Sequence, residues 1–390
     1  MTMRTKRWLW LVPLLLAAAG ALLLWRGRSE PQVEARVQGM APAADAGGFA
    51  RVTGPSPLSF PADYGPHPDF QTEWWYYTGN LAAEDGRHFG YQFTIFRRAM
   101  QPPDERAARA SDWGADQVYM GHFALTDVQN GRFHAFERLA RGAAGLAGAQ
   151  AEPYAVWLED WRVEDLPGQP GVTRMQAAAG EVAIDLLLTD VTGPVLQGDR
   201  GYSQKGPDPG NASTYFSLPR LASEGTVTLG DATVPVAGLS WQDHEYSTSA
   251  LAADQVGWDW FALQLDDGSE LKVFQIRQAD GGISPFSAGS FVDADGAVTP
   301  LSQADFQIEV HDAWRSPRSG ATYPARWTIT VPSLDLTLAL KPWLADQELN
   351  VSYSYWEGAV QVNGQRAGQP VAGNGYVEMT GYAGSMQRQF

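Results

Sequence analysis

The sequence predicts an all-β fold of two tandem antiparallel barrels, on three observations. An aromatic-acidic phrase is written twice, as Glu73-Trp74-Trp75-Tyr76-Tyr77 and as Gly257-Trp258-Asp259-Trp260-Phe261. Each copy is followed by a leucine (Leu81, Leu265), an Asp-Gly turn (Asp85-Gly86, Asp267-Gly268) and a Phe-led run ending in arginine (Phe93 to Arg97, Phe274 to Arg277). Self-similarity over roughly 180 residues indicates one supersecondary plan used twice. The composition is β-like, with 41 Gly, 25 Pro, 15 Trp, 14 Tyr and 16 Phe among short apolar runs broken by turn residues. No long amphipathic helical pattern follows residue 60, so crossover helices and a parallel sheet are not expected. A chain of 390 residues also exceeds one ordinary core and suits two domains.

In chain order, Arg4, Lys6 and Arg7 precede an uncharged run from Trp8 to Trp25, with Arg26 and Arg28 after it. This reads as a signal anchor over residues 1–28, with Ala41-Pro42-Ala43 as an alternative cleavage site. Either way the folded body is expected to be exported: anchored to the inner membrane on the periplasmic side, or secreted if the N-terminus is cleaved. Residues 29–57 lack periodicity and read as a flexible linker. The first barrel is expected over 58–245, with strands near 91–96, 118–128, 156–163, 181–189 and 214–221 and loops at 97–116 and 199–212. The second is expected over 246–390, with strands near 258–265, 270–277, 305–314, 325–331, 334–340, 348–362 and 374–382. Closed barrels with a ligand cavity suit so aromatic a sequence.

Bulk properties exclude several functions. A net charge of −16 without basic stripes argues against a nucleic-acid partner. The absence of cysteine removes disulfides, thiolate metal sites and a Cys nucleophile. His67, His122 and His244 do not have a zinc spacing, there is no Gly-x-Ser-x-Gly elbow, and no Gly-rich phosphate loop precedes a helix. No cofactor is expected.

Four longer phrases carry a family resemblance: Gly65 to Leu81 (GPHPDFQTEWWYYTGNL), Trp241 to Ser247 (WQDHEYS), Gly257 to Phe261 (GWDWF) and Tyr355 to Val360 (YWEGAV). Together, over residues 57–385, the chain resembles the AttH / carotenoid 1,2-hydratase-like family. That resemblance implies two lipocalin-like barrels holding a hydrophobic, isoprenoid or lipid-like ligand. It leaves two activities open: acid-catalysed addition of water to an alkene, or non-catalytic carriage of a lipid or hydrophobic metabolite, as an accessory of a membrane transporter of the ABC type.

Hydrating an unactivated alkene needs a carboxylic acid near the carbon, aromatic faces to stabilise a tertiary cation, and a positioned water. Residues 241–261 hold these residue types, which makes Asp243, His244, Glu245 and Asp259 the catalytic candidates. Trp74, Tyr76, Trp241, Tyr246, Trp258 and Trp260 are the candidates for substrate contact. On a regular strand Asp243 and Glu245 share one face, His244 and Tyr246 the other. His244 and Tyr246 are expected to face the pocket, with Asp243 orienting the network. Asp259 stands out because its counterpart in the first copy is Trp75; facing the cavity, it would be an acid with a raised pKa. The competing readings are a core histidine at His244, a paired or solvated acid at Asp259, ion-pair or capping roles for Glu73 and Glu357, core packing for the aromatic stripes, and a polar cluster that only cements the two barrels.

Overall fold

The computed structural model describes residues 47–106, 111, 113–248 and 251–386. The anchor expected over residues 1–28, and the linker up to residue 46, lie outside the described residues. No helix among the described residues is long and apolar enough to cross a membrane. The end of the expected linker is packed: Val52 is buried and the Ala50 N–H donates to the Asp69 carbonyl at 3.0 Å.

Two antiparallel sheets make the fold. In the first, Arg132–Arg141, Gln117–Asp127, His88–Ala99 and Thr72–Ala82 lie side by side. Thr72–Ala82 pairs with the sheet's last strand, Ala232–Ser247, and the order continues through Ala212–Leu229, Val182–Asp190, Val172–Ala179, Trp161–Asp165, Ala155–Leu158 and Ala147–Gln150. The second sheet repeats this plan. Val298–Ser302, Ala288–Val292, Glu270–Gln278 and Gln255–Leu265 lead to the last strand, Gln369–Met379, and then to Ser354–Arg366, Leu336–Pro342, Thr322–Val331 and Gln307–Arg315. The strand carrying the duplicated phrase therefore opens each sheet and pairs with the strand that ends it.

Alternation makes these strands one-sided. Val182, Ile184, Leu186 and Leu188 are buried in one barrel, and Leu336, Leu338 and Leu340 in the other. Each sheet curls round its own core, one centred on Trp75, Phe93, Phe123 and Trp161, the other on Phe261, Trp327, Ile329 and Trp356. In the first barrel no ladder joins the two outer strands among the described residues. Across the core of this barrel Trp161 lies 6.1 Å from Phe93 and 5.9 Å from Phe123, ring to ring. The apolar run at 156–163 is two strands, because Glu159 turns the chain at φ 58°. Arg132–Arg141 escaped the sequence reading because its side chains are mostly half-exposed and show no clean alternation.

The barrels meet along a seam of direct contacts. The Asn80 amide donates to the Gly375 carbonyl at 3.0 Å, Thr126 Oγ1 donates to Gln347 Oε1 at 2.7 Å, and His122 Nδ1 lies 2.6 Å from the Tyr355 hydroxyl. Gly90 faces Ala359 across this seam so closely that a Cβ at Gly90 would lie 2.4 Å from that of Ala359. Gly90→Val should overpack the seam and cost about 1–3 kcal/mol in stability. A urea midpoint unchanged from wild type would refute the close apposition.

Candidate active site between the barrels

Packed side chains fill both barrels, and an aromatic-lined space lies between the two sheets, where the duplicated strands face each other. It is a cavity of about 140 Å³. Residues directly opposite in an antiparallel pair point to the same face, so the register sets out its walls in rows. From the first sheet come Phe96, Trp74, Glu245 and Tyr215 in one row and Thr94, Tyr76, Asp243 and Ser217 in the next. From the second come Ile276 and Trp258, then Phe274, Trp260, Glu378 and Glu357, then Lys272, Ala262 and Tyr376. Trp74, Tyr76, Tyr215, Trp258, Trp260 and Phe274 all line the cavity.

Within these aromatic walls sit acids that burial keeps from ionising freely. Asp243 accepts hydrogen bonds from Ser217 Oγ at 2.6 Å, from Trp241 Nε1 at 2.7 Å and from the Tyr215 hydroxyl. Burial raises its pKa; Lys272 and those donors oppose the rise. Burial pushes the Lys272 ammonium down to about 7, aided by the charge of Lys205. Its Nζ lies 4.2 Å from the Tyr215 ring centre and 4.5 Å from that of Phe274. Lys205 pairs with Glu245 at 3.1 Å and stands over Phe274 at 4.4 Å.

On the opposite wall, burial pushes Glu378 up to about 8, with the charges of Asp243 and Glu245 adding to the rise and a hydrogen bond from Trp258 opposing it. Its cross-strand neighbour Glu357 is also raised well above the usual range, by burial and by Glu378, while Tyr76 donates to it at 2.8 Å. At neutral pH Glu378 therefore holds its proton beside a cavity that also contains Asp243 and Glu245. Sequence reasoning missed it. The repeat held the signal: Asp243 stands opposite Tyr76 on the strand that ends the first sheet, and Glu378 stands opposite Trp260 on the strand that ends the second.

Of the sequence candidates, Asp243, Glu245, Trp74, Tyr76, Trp258 and Trp260 line the cavity. Trp241 lies one row deeper on the same face, beneath Asp243. The expectation that His244 and Tyr246 face the pocket is corrected by strand alternation, which turns both to the other side of the sheet. There the His244 ring lies 4.9 Å from Trp75, in the barrel core, and Tyr246 stacks on His67 at 3.6 Å. Asp259 also faces away from the cavity. It pairs with Arg277 at 3.1 Å and accepts hydrogen bonds from Gln275 at 2.8 Å and Tyr382 at 3.2 Å. Burial raises its pKa, but it is walled off from the cavity.

Glu73 anchors a second buried polar group. Its carboxylate meets Arg97 Nε at 2.8 Å, His67 Nδ1 at 2.8 Å and His244 Nε2 at 2.9 Å. The ligand-type atoms of His67, Glu73 and His244 all lie within 4.8 Å of one another, a spacing that could hold a divalent ion. The Arg97 guanidinium already supplies a positive charge to the same carboxylate, so the arrangement is better matched to an ion-pair network than to a metal site. Burial pushes Glu73 up, yet Arg97 and the two histidines outweigh it and hold the carboxyl well below the usual range. Its contribution is therefore full above the ordinary glutamate pKa and is lost as the pH falls below it. Glu73→Gln strands a buried guanidinium and should cost about 3–5 kcal/mol. Thermal unfolding at neutral pH checks this, and a melting temperature equal to wild type would remove the anchoring role.

Comparison with known proteins agrees with this architecture. The AttH-like family profile matches residues 51–382. The crystal structure of an AttH protein from Nitrosomonas europaea is similar at 34% identity and TM-score 0.77, over 86% of this chain and 99% of that one. Kievitone hydratase from Nectria haematococca shares the fold at TM-score 0.63, with 15% identity over 86% of this chain and 98% of its own. The dehydratase asqC of Emericella nidulans is 24% identical over 217 residues, 53% of this chain; the chain thus spans 60% of the length of that curated relative. The chain belongs to the AttH-like family, with the two-barrel lipocalin-like fold of its relatives.

Proposed function

We propose that the cavity between the barrels adds water to, or removes it from, a hydrophobic alkene or the corresponding alcohol, with carboxyl side chains as acid and base. The observation that carries this reading is Glu378, an acid protonated at neutral pH in an aromatic-walled cavity shared with Asp243. Two relatives named for such chemistry, the dehydratase asqC and kievitone hydratase, support it. In the hydration direction Glu378 gives its proton to the alkene carbon, and the faces of Trp74, Trp258 and Trp260 stabilise the resulting cation. Water bonds to the cation, and Asp243 or Glu245 takes the proton that the water releases. Dehydration runs the same steps in reverse. Held at a membrane by residues 1–28, the exported body would meet its apolar substrate where that substrate partitions.

The deciding experiment incubates the full chain with apolar molecules extracted from its native cells in oxygen-labelled water and follows them by mass spectrometry. A bound alkene that gains labelled oxygen supports the reading; a bound molecule whose mass never changes marks a carrier instead. Glu378→Gln should lower kcat by about 10²–10⁴-fold. The wild-type rate should fall with rising pH through about 8, as Glu378 loses its proton. Stability should follow the same sign. Between the unfolded carboxyl pKa and about 8 only the native state keeps the Glu378 proton, so unfolding free energy declines across that window. An alkaline limb that persists unchanged in Glu378→Gln would sink the assignment of the acid.

A further inference from the structure

At the end of the cavity where the strands run out, the register sets one more row across four strands of the first sheet: Arg98, Thr72, Ser247 and Ser213. Thr72, Ser247 and Ser213 line the cavity, and Arg98 points to the same face, with Nη1 3.5 Å from Thr72 Oγ1. Arg98 is only 3% exposed, yet it makes no ion pair among the described residues, and its Nη2 has no hydrogen-bond partner there. Ser213 is 2% exposed, and its Oγ is likewise unpartnered. Two orphaned polar groups thus sit in one buried row. Arg97, next in the chain and as deeply enclosed, also has an unpartnered Nη1, but its charge is matched by Glu73 at 2.8 Å. Leaving a guanidinium desolvated without an anion is unfavourable, and here none of the described residues supplies an anion.

We propose that Arg98, with the Ser213 and Thr72 hydroxyls, forms a subsite for the carboxylate of an otherwise apolar ligand, whose hydrocarbon part lies among Trp74, Trp258 and Ile276. This rests on the reading that the cavity takes a hydrophobic molecule, and it adds what one end of that molecule must be. Charge balance selects a monoanion. Lys205 is already neutralised by Glu245 and Lys272 is set against Asp243, so among the described residues at this end Arg98 is the positive charge left to match, and a phosphate monoester would bring nearly twice the charge needed. A planar carboxylate also suits the guanidinium fork and the single-donor hydroxyls beside it.

Calorimetric titration of the full chain with octanoate, octan-1-ol and octyl phosphate tests the subsite separately from the cavity. The wild type should bind octanoate about tenfold more tightly than octan-1-ol. Arg98→Gln should abolish that preference while leaving octan-1-ol binding unchanged. Ser213→Ala should weaken octanoate by roughly threefold, again without affecting octan-1-ol; should Arg98→Gln fail to fold, this variant decides alone. Octan-1-ol binding as tightly as octanoate, a preference that survives Arg98→Gln, or an octanoate affinity unchanged in Ser213→Ala overturns the subsite. Octyl phosphate binding more tightly than octanoate overturns the choice of carboxylate. Failure of both octanoate and octan-1-ol to bind overturns the apolar cavity itself, and the subsite with it.

Discussion

The pairing of Thr72–Ala82 with Ala232–Ser247 is the constraint on which the rest of the site depends. In that register Tyr76 stands opposite Asp243 and Trp74 opposite Glu245. One residue of slip would turn both acids into the barrel and bring His244 out in their place. The register is defended from the far side of the strand. Trp75 is wholly buried in the barrel core, His244 is held by Glu73, and Glu73 by Arg97. Packing and ion pairing inside the barrel thus determine which side chains face the cavity outside it.

The buried acids fall into two groups, and the contrast separates architecture from chemistry. Glu73 and Asp259 lie on the barrel side of their strands, and each has an arginine at about hydrogen-bond distance. Both of those arginines close the Phe-led run of the repeat, so the two copies built the same buried pair from different acids. Asp243, Glu357 and Glu378 lie on the opposite face. Among the described residues none of the three has an arginine beside it; their partners are hydroxyls, the indoles of Trp241 and Trp258, one another and, for Asp243, the charge of Lys272, and burial raises all three. Keeping such groups desolvated without full compensation is costly, and sites where a protein tolerates this are enriched in function.

Much of this was legible in the sequence. The repeat, the short aromatic runs and the spacing of Gly and Pro turns indicated two antiparallel barrels, and alternation along residues 241–246 correctly separated Asp243 and Glu245 from His244 and Tyr246. Choosing which of those two faces met the cavity was beyond it, because both faces are buried, one against a core and one against a second barrel. Asp259 misled for the same reason: an acid replacing Trp75 looks exceptional until Arg277 is seen beside it. Glu378 was missed because it pairs with Trp260 across more than a hundred residues of chain, so that local patterns do not mark it. Arg98 was hidden by its neighbour Arg97, with which it forms an apparently uniform basic pair.

Duplication explains why the cavity lies between the barrels. Within one barrel the residues that fill the core leave little room: Trp161 alone bridges Phe93 and Phe123, and Trp356 packs against Trp327 in the other. A single copy would instead expose Trp74 and Tyr76 on its outer face, an apolar patch in need of cover. The second copy covers it with Trp258 and Trp260. Two such flat aromatic faces cannot interdigitate everywhere, and Trp260 meets Tyr76 edge-on at 5.3 Å and Trp241 edge-on at 6.3 Å. What remains between them is an aromatic-walled space into which the last strand of each barrel puts an acid. The two acids differ because their neighbours differ: Lys272, Ser217, Tyr215 and Trp241 oppose the rise that burial gives Asp243, whereas the charges of Asp243 and Glu245 add to the rise that burial gives Glu378. Only the second wall thus has neighbouring acids that reinforce its proton, an asymmetry that two identical copies could not have provided.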